Sequence, residues 1–146
     1  MSSPSPTSTS SPPPSSALRI LVIDDEAGVR DVLCELLSDE GHEVTAAASG
    51  TEGLACFGPG SFDVVITDLA MPKLDGLEVA REVHRRDPTA ICILTSGWLE
   101  QRSRNGLDAS IADLVLHKPF HFDEVISSVA RAAALRRERV AARPPA

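Results

Sequence analysis

Three short segments, LRILVI (18–23), DVVIT (63–67) and AICILT (90–95), are apolar almost without a break. A strand with one wet face alternates apolar and polar residues, so uninterrupted strands of this kind need cover on both faces. That is the condition of a parallel sheet between two layers of helix. The segments between them have the other period. AGVRDVLCELLS (27–38) places Val29, Val32, Leu33, Leu36 and Leu37 on one helical face, and Gly41 stands where that helix should stop. Ser49 with Glu52, and Asp75 with Glu78, have the spacing of capping boxes. The second of these opens a helix with Leu77, Ala80 and Val83 inward, ending before Pro88.

EVTAAA (43–48) and ADLVLH (112–117) are the more polar strands and suit the sheet edges. Residues 98–108 read as a weak helix, because Ser103, Asn105 and Gly106 lie within it. A final helix carries Val125, Ile126, Val129 and Ala133. Five strands alternating with five helices predict a doubly wound (βα)5 α/β fold, with a five-stranded parallel sheet in the order 2-1-3-4-5.

The ends of the chain differ from its middle. Residues 1–16 are Ser, Pro and Thr after the initiator Met and have nothing to bury, so they are expected to be a disordered tail. The folded domain is expected over 17–137, followed by a basic tail over 138–146. The net charge is −7, yet residues from Arg131 onward carry a local +4. The acidic balance speaks against direct DNA binding, and the basic end reads as a solvated helix terminus. No apolar run is long enough to span a membrane. Cys34, Cys56 and Cys92 are odd in number and form no CxxC, as expected of reduced core cysteines in a cytoplasmic protein. His42, His84, His117 and His121 have no ligand-like spacing and read as surface or capping residues.

In a sheet of this order, functional groups gather at the carboxyl ends of the strands. Strand 1 ends at Asp24 and Asp25, strand 3 at Asp68, strand 4 at Thr95, and strand 5 at Lys118. Three carboxylates packed together repel unless a cation sits among them. A hard ion such as Mg2+ fits, because it takes a few carboxylates and leaves room for phosphate oxygens. A lysine and a hydroxyl beside that cluster complete the equipment for phosphoryl transfer to a carboxylate.

VIDDE (22–26), TDLAMPKLDG (67–76), LTSG (94–97) and HKPF (117–120) occur in this order at those strand ends. Together they resemble the response-regulator receiver domain of two-component signalling, over about residues 18–137. The resemblance implies a flavodoxin-like fold, expected to be of the stand-alone, chemotaxis-regulator-like kind. It implies Asp68 as phosphoacceptor, Mg2+ held by Asp24, Asp25, Asp68 and the backbone carbonyl of Ala70, and Thr95 and Lys118 on the phosphoryl group. It also implies a cis peptide before Pro119. The implied partners are a sensor histidine kinase or phosphotransfer protein, an unknown downstream protein, and a second copy on phosphorylation. The implied chemistry is self-phosphorylation and autodephosphorylation, without enzymatic turnover.

Two positions depart from the family pattern. Val115 stands where an aromatic residue is usual, and Ile111 where Gly is common. Two other readings compete. A phosphohydrolase of the haloacid-dehalogenase type also uses a strand-end Asp, but it needs a second Asp two residues on, where this chain has Ala70. A receiver-like binding scaffold that is never phosphorylated would not need the complete set of acids with Thr95 and Lys118.

Overall fold

The computed structural model describes residues 17–97 and 111–142. Its elements are β1 (Arg19–Ile23), α1 (Ala27–Asp39), β2 (Glu43–Ala47), α2 (Gly50–Cys56), β3 (Val64–Asp68), α3 (Gly76–Arg86), β4 (Ile91–Ser96), β5 (Leu114–His117) and α4 (Phe122–Ala142). All strand pairings are parallel, in the order β2-β1-β3-β4-β5. The expected weak helix over 98–108, the tail over 1–16 and residues 143–146 lie outside the described residues.

Strand alternation divides the core into two layers. Ile20, Val22, Val64, Ile66, Ile91 and Ile93 pack under Leu33 and Leu37 of α1 and Val125 and Val129 of α4. Leu21, Ile23, Val65 and Cys92 face the other way, under Val79, Ala80 and Val83 of α3. Both faces of the central strands are therefore dry, which is why β1, β3 and β4 needed no polar alternation. Val32 is a correction. It is 43% exposed, because the inward stripe of α1 is narrower than the sequence spacing implied.

The helix starts follow local chemistry. Asp75 and Glu78 form a complete capping box at 2.9 and 3.0 Å. Ser49 accepts from the Glu52 amide, while Glu52 reaches back to the Ala48 amide, one residue earlier than the box predicts. Arg86 closes the end of α2 by donating to the carbonyls of Leu54 and Phe57. After β3, the Leu74 amide donates to Pro72 O across Lys73, which has φ 71°. This is a γ-turn in the left-handed region, a conformation that costs energy for a residue with a Cβ.

Helix α4 runs to Ala142, past the expected boundary at 137, so residues 138–142 are helix and not tail. Its arginines are also not simply solvated. Arg136 Nε lies 3.1 Å from Asp63 Oδ1 as an ion pair, without hydrogen-bond alignment. Arg139 pairs with Asp113 and donates to Ala90 O at 3.3 Å.

Asp113 is the centre of a network that corrects the reading of His84. His84 Nε2 lies 2.8 Å from Asp113 Oδ2, which also accepts from the Cys92 amide at 2.8 Å. The ligand atoms of His84, Cys92 and Asp113 fall within 4.8 Å of one another. Both Asp113 oxygens are already committed, however, and burial pushes the Cys92 thiol far up. The cluster is a polar tie that joins α3, β4, the residue before β5 and α4. Cys56 is a second correction, being exposed where a core position was expected.

Burial alone would raise the Asp113 carboxyl, but its bonds from His84, Arg139 and the Cys92 amide outweigh that and hold it at about 2. Its contribution to stability is thus present above the ordinary carboxylate range and lost as pH falls towards 2. Asp113→Asn is expected to cost about 1–2 kcal/mol at pH 7, after allowance for its partly exposed partners. Urea unfolding at pH 7 and pH 3 checks this, since the difference from the parent should shrink at the lower pH.

Candidate phosphoacceptor site

Sheet register brings the predicted residues together. Asp68 is the last residue of β3 and lies opposite Thr95 of β4. The Leu69 amide donates to Thr95 O at 2.8 Å, and the Lys118 amide to Ser96 O at 2.8 Å. Asp24 follows β1 directly, its amide donating to Ala47 O at 3.2 Å. Strands β1, β3, β4 and β5 thus deliver Asp24, Asp68, Thr95 and Lys118 to one rim. Asp68 closes its strand, as the rim reading expects, while β4 runs one residue past Thr95 to Ser96. The Lys118–Pro119 peptide is cis.

Asp24 is 1% and Asp68 6% exposed, whereas Asp25 and Ala70 face solvent. Lys118 Nζ lies 3.2 Å from Asp68 Oδ1, 3.4 Å from Asp24 Oδ2 and 3.9 Å from Glu26 Oε1. Thr95 Oγ1 donates to the same Asp68 Oδ1, at 3.5 Å. Glu26 is a member of the site that sequence reasoning missed. Its place directly after the Asp pair was the available signal.

Burial raises the Asp68 carboxyl to about 6. Lys118 pulls against this, while Asp24 and Asp25 add to it. Burial lowers the Lys118 ammonium, but Asp68 and Asp24 overcome it, so its net shift is upward. One lysine therefore does not fully neutralise three carboxylates. Asp24, Asp25 and Asp68 each offer an oxygen, all within 4.8 Å of one another. This is a hard-oxygen donor set with excess negative charge, and it fits Mg2+. Ala70, whose backbone carbonyl is the expected fourth donor, is an exposed residue two positions after Asp68.

A family model for the response regulator receiver domain matches residues 20–130. This chain belongs to that family. The chain is 37% identical over 131 residues to the transcriptional regulatory protein TcrA of Mycobacterium tuberculosis, covering 89% of this chain and 50% of that protein. It is 36% identical over 111 residues to the transcriptional regulatory protein ResD of Bacillus subtilis, covering 76% and 46%. The chain spans about half the length of these curated relatives.

Among solved structures, it resembles a response regulator receiver domain protein from Clostridium thermocellum, with TM-score 0.73 and 34% identity, covering 84% of this chain and 97% of the other. It also resembles the response regulator TrrA from Thermotoga maritima, solved in complex with Mg2+-BeF, with TM-score 0.70 and 40% identity, covering 78% and 97%. Among the described residues, no helix of the receiver domain is long and apolar enough to cross a membrane.

Proposed function

We propose that this receiver domain is a phosphoacceptor in which Asp68 takes a phosphoryl group from a sensor histidine kinase or phosphotransfer protein, with Mg2+ required, and thereby changes which protein it binds. The observation that carries this reading is the convergence of Lys118 Nζ and Thr95 Oγ1 on a single oxygen, Asp68 Oδ1. That oxygen faces the two groups suited to holding phosphoryl oxygens, so it is the attacking atom. It forms a bond to phosphorus as the bond from phosphorus to the donor imidazole nitrogen breaks, and the electron pair stays on nitrogen. Lys118 balances the developing charge and Thr95 orients the phosphoryl group. Asp24, Asp25, Asp68 and the Ala70 carbonyl would hold the ion. When bound, Mg2+ supplies charge neutralisation across carboxylate and phosphoryl oxygens.

Ala70 offers no acid or base two residues after the nucleophile, which supports slow loss of phosphate to water and not turnover of external phosphomonoesters. The relatives named as transcriptional regulators are about twice this length. The engagement of Arg136 and Arg139 by Asp63 and Asp113 supports a protein and not DNA as the direct partner of this domain. Dimerisation on phosphorylation and a cytoplasmic location belong to the same reading. Switching would use Thr95, which already meets the Asp68 carboxylate. Val115 is 39% exposed and has no ring to move.

The test is phosphorylation by a small acyl or amide phosphodonor, followed by intact mass. The parent is expected to gain one phosphoryl group with Mg2+ and almost none after chelation. Asp68→Asn should gain none under either condition. Modification without Mg2+, or in Asp68→Asn, would overturn the proposal.

A further inference from the structure

We propose that Arg30 is a positioning residue of this site, fixing Asp24 so that a single carboxylate oxygen faces the metal. The inference rests on the phosphoacceptor reading above. Asp24 lies just beyond the last residue of β1, where its backbone leaves the sheet and loses its ladder partners. Its amide still finds Ala47 O at 3.2 Å, but a buried carbonyl at this point would be orphaned. Arg30 Nη1 donates to it at 2.8 Å. The side chain is held too, since Asp24 Oδ1 accepts from the Glu26 amide at 2.9 Å. Only Oδ2 is left towards the site, where Lys118 Nζ stands 3.4 Å away.

The start of α1 explains why an arginine is needed. Its N-cap, Glu26, makes no side-chain capping bond. The turn from β1 into α1 is therefore held by Asp24 and by Arg30, whose own amide donates to Glu26 O at 3.0 Å. One residue on the first turn and a half of α1 thus grips both ends of the acidic turn. The largest charge effects on the Asp68 carboxyl come from Lys118, Asp24 and Asp25. What Arg30 contributes is the bond that holds the Asp24 backbone. Groups that orient metal-holding residues in this way typically change metal affinity when removed, without touching the ion themselves.

The experiment compares Arg30→Met, which keeps the stem and deletes every donor, with Arg30→Lys, which keeps a charged donor. Mg2+ affinity is read by calorimetry, and amide exchange at residues 24–27 is read in metal-free protein. Arg30→Met is expected to weaken Mg2+ binding by about tenfold and to speed exchange of the Glu26 amide, with strand β3 unchanged. Arg30→Lys should recover part of both, and it carries the comparison by itself if Arg30→Met does not fold. Mg2+ affinity and Glu26 exchange equal to the parent would overturn the inference. So would a lower unfolding midpoint with both of those readings unchanged. If the parent binds no Mg2+, the metal reading fails, and exchange in the metal-free protein still decides the role of Arg30.

Discussion

Gly76→Ala is expected to cost about 2–4 kcal/mol, and Gly76→Val to prevent folding at ordinary temperature. A Cβ on Gly76 would sit 2.4 Å from Asp68 O, 2.6 Å from Leu94 Cδ1 and 2.9 Å from Leu69 Cα. Two of those atoms are backbone of the phosphoacceptor strand and its exit. They cannot retreat without moving Asp68, and the Gly76 amide is meanwhile tied to Leu69 O at 3.0 Å. Helix propensity works the other way, since Ala is better than Gly in a helix by about 1 kcal/mol. The steric cost should exceed that gain and lower the melting temperature by about 10 °C. Gly58→Ala is the control, because a Cβ there meets nothing within 4 Å. Equal melting temperatures for the two variants would contradict the packing described around Asp68.

Asp68→Asn is expected to be more stable than the parent at neutral pH without Mg2+. Burial raises the Asp68 carboxyl from 3.8 to about 6, net of the attraction from Lys118. A raised carboxylate favours the folded state fully below its unfolded value, and that advantage is lost as pH rises through about 6. At pH 7.5 the ionised group therefore strains the fold. Full linkage would make this about 3 kcal/mol. Solvent access at the rim reduces it to about 1–2 kcal/mol, or about 5 °C in melting temperature. The gain should fade below pH 4, where Asp68 is neutral in both states. Thermal melts in metal-free buffer at pH 7.5 and 3.5 decide it. A variant less stable than the parent at pH 7.5 would show that Lys118 already satisfies the carboxylate.

Much of this fold was legible in the order of residues, for identifiable reasons. Strands β1, β3 and β4 declared themselves because burial on both faces removes alternation. Capping by Asp75 and Glu78 is local, so its spacing alone carried it. The rim residues were legible because parallel strands in this order must end side by side. The ends of β1 and β5 were legible as well, but the extension of β4 to Ser96 was not, since nothing local distinguishes Ser96 in the ladder from Ser96 just beyond it. The ties of Arg136 to Asp63 and Arg139 to Asp113 join distant segments, so an arginine-rich end read as a tail. The role of His84 was hidden similarly, since its partner Asp113 lies two elements away. Arg30 is a lesser case. It looked like one more polar residue on α1, and only the path of the backbone at Asp24 shows what it holds.

The position of the phosphoryl group tests transfer to Asp68 most directly. After reaction with a small phosphodonor and Mg2+, borohydride reduction converts an aspartyl phosphate to homoserine, which peptide sequencing by mass spectrometry can place. Homoserine is expected at position 68, and its formation should be lost in Asp68→Asn. Phosphate recovered on a serine, threonine or histidine, with Asp68 unreduced, would contradict the account.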